Sequence, residues 1–300
     1  MSPGNAHPYS WSSIINGTFD ELEIRKVGYP AVANYLEANS DTLGIDLAKV
    51  TCVWTQDRKI SESIARSAAI RNIVDELEEM IPLVDAVLLL RDDPEHHVAM
   101  AKPFLDAGLP IFIDKPLATT IEDLQYFANA HENGSLIMSC SSMRYATEAR
   151  IVKQEMESLG KPQLVVAVGK KDWIKYGVHM LEGMFSLLND PTPLSVKSIG
   201  KPHKEIVYIE FEQGLLATVH LFMDISATFQ ISLFGKNGWR LIDIKNSYAM
   251  FRDNIIEFIR SVETGIPRLS FHKTENIIRT LISVVESTQQ GGKTIYLSKY

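Results

Sequence analysis

The sequence predicts an α/β fold in two parts: a doubly wound parallel sheet with its first strand missing, then an α+β domain on a large, mostly antiparallel sheet. Three observations predict it. A length of 300 residues suits two domains better than one. In the first half, continuous apolar runs alternate with helix-spaced segments, as strands buried on both faces and joined by helical crossovers require. After about residue 150 the rhythm changes, and strand-like segments follow one another with few helices between them.

Residues 49–55 (KVTCVWT) read as a strand ending at Gln56-Asp57-Arg58. Residues 60–69 have helical spacing, and 76–80 form a short helical piece. Residues 84–90 (VDAVLLL) are a buried strand ending at Arg91-Asp92-Asp93-Pro94. A helix over 97–107 closes at Gly108, a C-cap residue. Residues 110–113 (PIFI) form the next strand, and Thr120 with Asp123 makes a capping box for the helix after it. Residues 136–141 form a further strand. In the second half, strands are expected at 164–168, 205–212, 215–223, 228–234 and 240–244. Hairpin turns are expected at Glu212-Gln213-Gly214 and Gly235-Lys236-Asn237-Gly238. Helices over 248–264 and 274–290 and a strand over 294–297 complete the chain. The domains are therefore 1–118, Rossmann-like, and 119–300, α+β, with the helix and strand of 119–150 bridging the two.

Composition narrows the function. Lys plus Arg number 30 and Asp plus Glu 37, a net charge of -7, so neither nucleic acid nor anionic lipid is attracted in bulk. No apolar run approaches the roughly 20 residues that cross a bilayer, and no signal-like amino terminus is evident. A cytoplasmic location is expected. Cys52 and Cys140 lie far apart in apolar stretches and read as buried free thiols. The adjacent pair His96-His97 cannot face one metal from one helix face. With no HExxH and no cysteine cluster, no catalytic metal is expected. Phe211, Phe222, Phe229 and Phe234 suit alternating sheet faces, and Glu76-Leu77-Glu78-Glu79 suits a solvated helix face.

Two segments carry candidate chemistry. Asp114-Lys115-Pro116 follows a buried parallel strand, and in open α/β sheets ligands sit outside the carboxyl ends of strands. Lys115 there is a candidate cation and proton donor, aimed by Pro116. The second segment is Lys175-Tyr176-Gly177-Val178-His179-Met180-Leu181-Glu182, where His179 opens a helix and has the proton affinity to act as a base near neutral pH. Lys115 and His179, one from each domain, together suit hydride transfer.

The chain resembles the Gfo/Idh/MocA oxidoreductases over nearly its whole length. HVAMAKPFLDAGLPIFIDKPLATTIEDL is similar to the family's His…Gly…(Glu/Asp)-Lys-Pro signature, and YGVHMLE to its Gly-x-His segment. The order of second-half strands resembles the family's open-faced sheet. The resemblance implies NAD- or NADP-dependent redox chemistry on a sugar- or polyol-like alcohol. By position, Lys115 would bind the reacting oxygen and the nicotinamide ribose. His179 would be base in oxidation and acid in reduction. His97, Asp114 and Pro116 complete the signature on the cofactor side.

The sequence departs from that pattern in two places. Where many members carry Asp four residues before the His, Lys175 stands here, so Asp172 or Glu182 would have to orient the imidazole. Lys175 and Tyr176 become substrate candidates, Lys175 for an anionic group, and Lys175 would depress the pKa of a nearby His179. The second departure is the amino terminus. Gly4, Asn5, Ala6 and His7 look like the phosphate-binding turn and helix start, yet G-x-G-x-x-G is absent and Met1 leaves no room for the preceding strand. Either the start codon is internal to a longer gene or the chain is naturally shortened. Further cofactor candidates are Asp57 for ribose hydroxyls, Arg58 for a 2′-phosphate, and Arg91 and Asp92 along the groove. Arg144 is a substrate candidate. A homodimer or homotetramer is expected from the free face of the second sheet. The alternative function is a non-catalytic dinucleotide sensor or partner-binding protein on the same fold.

Overall fold

A computed structural model describes residues 5–297. Its first half runs α1 (His7–Asn16), α2 (Glu21–Lys26), α3 (Pro30–Ala38), β1 (Cys52–Val53), α4 (Arg58–Ala68), β2 (Asn72–Ile73), β3 (Val87–Leu89), α5 (His97–Asp106), β4 (Ile111–Ile113), α6 (Ile121–Glu132) and β5 (Ile137–Met138). The second runs α7 (Thr147–Gln154), α8 (Met156–Leu159), β6 (Pro162–Lys170), α9 (Val178–Leu187), β7 (Pro193–Ser198), β8 (Lys204–Phe211), β9 (Leu216–Phe222), β10 (Phe229–Gly235), β11 (Trp239–Asp243), α10 (Ser247–Thr264), α11 (Phe271–Gln289) and β12 (Ile295–Tyr296). The chain forms two compact units. One comprises Met1–Asp114, Asn129–Met138 and Phe251–Leu269, the other Lys115–Ala128, Ser139–Met250 and Ser270–Tyr300. The division crosses the chain repeatedly, whereas the sequence suggests one cut after residue 118.

In the first unit every strand pair is parallel, but the strands form two pieces, β1-β2 and β3-β4-β5. The helices between them follow from local signals. α1 has Pro8 in its first turn and ends at Gly17, whose left-handed φ of 74° lets its N–H reach the Ser13 carbonyl. α4 starts where the Asp57 side chain accepts the Lys59 N–H. β1 and β3 are shorter than their apolar runs because each has a strand neighbour on one side only. Phe112 meets Trp11 and Phe258 edge to face in the core, with ring centroids 5.1 and 5.7 Å apart.

The second unit holds a seven-stranded sheet in the order β11-β10-β6-β9-β8-β7-β12. All its pairs are antiparallel except β6 with β9. β6, β8 and β9 alternate buried and less buried residues, so one face is core: Val165, Ala167, Val207, Ile209, Ala217 and Val219 are fully enclosed. On the other face Leu164, Phe234 and Trp239 are in register across three strands and partly exposed, with Leu241 beside them. The predicted hairpin turns join β8 to β9 and β10 to β11. Ahead of α6 the Thr120 hydroxyl accepts the Asp123 N–H at 3.1 Å, the expected first half of a capping box, and itself donates to the Asp123 carboxylate at 2.8 Å. No helix among the described residues is long and apolar enough to cross a membrane.

Candidate functional site

In the first unit the candidate cofactor residues fall into three groups. Gly4 lies outside the described residues. Asn5 sits at the start of α1, and its Nδ2 donates to the Leu90 carbonyl at 3.3 Å and to Asp114 Oδ2 at 3.1 Å. Its Oδ1 accepts the His7 N–H at 2.8 Å. His7 Nδ1 donates to the same Asp114 oxygen at 2.7 Å, and Asp114 is 1 % exposed. The carboxylate after β4 therefore ties down the entry to α1. Ala6, the residue that precedes α1, supplies no side-chain cap.

The second group closes the end of β3. Arg91, largely buried, donates through Nε to Asp93 at 2.7 Å and forms a second bond to it through Nη2. Burial pushes the Asp93 carboxyl up, but the Arg91 hydrogen bonds outweigh it and hold the group below the usual carboxylate range. His97 is fully buried, and its Nε2 donates to the Arg91 carbonyl at 3.0 Å. Asp92 is half-buried beside them. Asp93, Glu95 and His96 bring one ligand atom each within 4.8 Å of one another, but Asp93 is already engaged by Arg91.

The third group follows β1. Asp57 is exposed and uses one oxygen to cap α4. Arg58 points along its helix and pairs with Asp75 at 2.5 Å and Glu62 at 3.7 Å.

The second unit holds the candidate chemistry. Lys115 is 9 % exposed, at the start of a cis Lys115–Pro116 peptide. It belongs to the same compact unit as His179, at the residue where that unit begins. His179 lies in the first turn of α9, its Nδ1 2.6 Å from Ser141 Oγ. Tyr176 approaches the imidazole edge-on at 5.1 Å, and Phe229 flanks both rings. Lys171 reaches over Tyr176 and donates to its hydroxyl at 2.6 Å. Ser141 Oγ also accepts the Met143 N–H, and its hydroxyl can either accept from Nδ1–H or donate to Nδ1.

The two acids offered as imidazole orienters have partners elsewhere. Asp172 caps the turn at Trp173–Gly177 by accepting the Lys175 N–H, and Glu182 pairs with Arg144 at 2.5 Å. Ser141 is what the sequence reading missed; its signal is its place at the end of a predicted strand. Lys171 was missed too, because an isolated loop lysine carries no pattern. Lys175 is exposed at the turn before α9.

Arg144, expected to touch substrate, is 6 % exposed and is held by Glu182 and by Asp190 at 2.8 Å. Burial opposes its charge, but the two carboxylates outweigh burial and raise its pKa. Burial also raises the Glu182 pKa, against the attraction of Arg144. Lys273 holds the other Asp190 oxygen at 2.8 Å. Arg144 is thus the centre of an internal ion-pair network.

Residues 26–141 match a family described as "Oxidoreductase family, NAD-binding Rossmann fold". No curated protein matches the sequence significantly. Among solved structures, the chain is similar to a probable dehydrogenase from Thermotoga maritima, with 14 % identity over 84 % of this chain and 92 % of that one and a TM-score of 0.75. It is similar to myo-inositol 2-dehydrogenase from Lactobacillus plantarum, with 15 % identity over 84 % and 92 % and a TM-score of 0.73. It is also similar to myo-inositol dehydrogenase from Lactobacillus casei, solved with NAD(H) and myo-inositol, with 18 % identity over 83 % and 89 % and a TM-score of 0.71. At these identities the likeness is one of fold.

Proposed function

We propose, for a chain whose residues 26–141 match the model of an oxidoreductase family with an NAD-binding Rossmann fold, that it moves hydride between a nicotinamide dinucleotide and the carbinol carbon of a sugar- or polyol-like substrate. The observation that carries this reading is the imidazole of His179, held at Nδ1 by Ser141 and flanked by the rings of Tyr176 and Phe229. The inositol bound in the Lactobacillus casei relative agrees with a substrate of this class.

The chain's residues fit the dinucleotide in part. Asp57 is exposed at a strand end and suits ribose hydroxyls, while Arg58 is taken up by Asp75 and Glu62. That balance favours NAD over NADP. Bound cofactor would supply the hydride acceptor. In oxidation the substrate hydroxyl gives its proton to His179 Nε2 as the carbinol C–H pair leaves as hydride, and the Lys115 ammonium stabilises negative charge on the oxygen. In reduction the same imidazole, protonated on both nitrogens, returns the proton and keeps its bond to Ser141. Tyr176, braced by Lys171, is a substrate contact.

The test is the appearance of reduced nicotinamide with NAD against a panel of inositols, sugars and sugar acids. Turnover unchanged in both Lys115→Met and His179→Ala would overturn the assigned roles. A second reading, a dinucleotide-binding protein without turnover, is favoured by the start of α1. There the His7 N–H is taken by Asn5 and Pro8 has none, so few amides remain for a pyrophosphate. Calorimetric binding of NAD with no turnover over the whole panel would favour it.

The exposed row Leu164, Phe234 and Trp239, with Leu241 beside it, supports self-association through the sheet face as a homodimer or homotetramer. A light-scattering mass of one subunit at micromolar concentration would count against that.

A further inference from the structure

The turn between β6 and α9 carries a cation that hydride transfer leaves without a task of its own. β6 ends at Lys170, and the next residue, Lys171, takes a left-handed backbone with φ 81°, a conformation that costs any residue with a Cβ. Its N–H donates to the Phe222 carbonyl at 3.1 Å, which fixes the turn to the end of β9. From there Nζ comes to 2.6 Å from Tyr176 Oη. The exposed lysines Lys102 and Lys245 fold onto carboxylates, Asp106 and Asp243. Lys171 meets a neutral phenol instead, and among the described residues no carboxylate lies within ion-pairing reach of it.

Chemistry sets the direction of that bond. An ammonium has three N–H donors and no lone pair, so the Tyr176 oxygen accepts. The phenol's own hydrogen is left to point elsewhere, and no second partner for it occurs among the described residues. Lys171 keeps two further donors. The pair thus offers a polarised O–H beside an N–H, with a full positive charge and no acceptor. The Tyr176 ring lies parallel to Phe229 within 2° at 6.0 Å, and 5.1 Å from the His179 imidazole. A group bound at the pair is therefore only a few bonds from a carbon whose hydroxyl meets His179.

We propose that Lys171 and Tyr176 form a carboxylate subsite, and that the substrate is an acidic sugar derivative, an aldonate or uronate, in preference to a neutral polyol. The assignment rests on the hydride-transfer reading for the role of His179. Two donors match the two oxygens of one carboxylate, whereas a phosphate ester brings three oxygens and nearly two charges to the same two donors. A neutral hydroxyl accepts the Tyr176 hydrogen and leaves the ammonium without a counter-charge.

The test compares partners that differ in one group: gluconate with glucitol, and glucuronate with glucose, each exchanging a carboxylate for a hydroxymethyl group. Dissociation constants are read by ligand-observed NMR on the full chain with NADH present, which gives an alcohol no hydride acceptor. Turnover of the same four compounds is followed separately with NAD. At least one acid is expected to bind about tenfold or more tightly than its neutral partner, the worth of one charge-assisted hydrogen bond. Lys171→Met should bring that ratio close to one, and Lys171→Arg should keep most of it. Tyr176→Phe, which retains the ring, should weaken the acid more than the neutral partner. Equal binding within both pairs, no binding of either acid at millimolar concentration, a ratio unmoved by Lys171→Met, or a ratio removed by Lys175→Met instead would overturn the subsite. So would tighter binding of glucose 6-phosphate than of both acids. The two proposals fail separately. Lys171-dependent binding of an acid with no nicotinamide reduced by any compound keeps the subsite and removes hydride transfer. Turnover of the neutral compounds as fast as the acids, with Lys171→Met changing neither, keeps hydride transfer and overturns the subsite.

Discussion

Replacing Arg144 by methionine removes the cation at the centre of a buried network. Glu182, 1 % exposed, loses the guanidinium 2.5 Å away and retains a backbone hydrogen bond from Ser141. Asp190 fares better, because Lys273 still holds it at 2.8 Å. Breaking one side of a buried pair costs about 3–5 kcal/mol, mostly from the charge left behind. In a unit of about 160 residues, each kcal/mol lowers Tm by about 2–4 °C, so a fall of roughly 10 °C is expected. The asymmetry gives a sharper check. In Arg144→Met/Glu182→Leu the stranded carboxylate is gone, and most of the loss should return; Asp190→Ala alone should cost less than Arg144→Met. Thermal and urea unfolding of the four proteins form the assay. A loss under about 1 kcal/mol in Arg144→Met, or a double variant no more stable than the single one, would refute the reasoning.

Other consequences are open to direct measurement. Ser141→Ala should lower kcat/KM by about tenfold and move its pH profile, with Ser141→Thr restoring both; an unmoved profile would remove Ser141 as the positioning residue for His179. Asp57→Ala should weaken NAD binding by about tenfold in calorimetry and leave NADP binding nearly unchanged, since only the free 2′-hydroxyl needs that acceptor. Trp239→Lys should shift the light-scattering mass toward one subunit. Burial lowers the pKa of His220 in the folded state, so the ring must charge more easily on unfolding. Stability from this group is present above the unfolded pKa of about 6.5 and is lost as pH falls through the lower folded value. His220→Gln should flatten that acid limb in a pH series of urea midpoints.

Much of this architecture was legible in the chain. The antiparallel strands declared themselves by alternation, and β6 with β8–β11 fall within a residue or two of expectation. β7 escaped because PLSVKS opens on proline and has little apolar content. α2 and α3 escaped because they are short and sit among glycines and prolines. Of the first-half strands, β1, β3, β4 and β5 were placed correctly but drawn too long, since apolar content reports burial and not how many neighbours a strand has, and the two-residue β2 escaped. The local site signals, Lys115 after a buried strand and His179 at a helix start, were readable. What each polar group touches was not. Ser141 against His179, Glu182 against Arg144 and Asp114 against His7 are separated by 38, 38 and 107 residues, and only the fold brings such partners together.

The rims of the seven-stranded sheet limit how this unit can meet another copy. At one end β12 contributes two residues, too few to template a neighbour. At the other, β11 carries Arg240, which pairs with Glu155, and Asp243, which pairs with Lys245. Short or charged borders of this kind discourage lateral strand addition. Any contact between copies through this sheet would thereby be left to side chains laid flat against one another. Such contact tolerates small slips along the strands, and one bulky or charged replacement in the middle can abolish it.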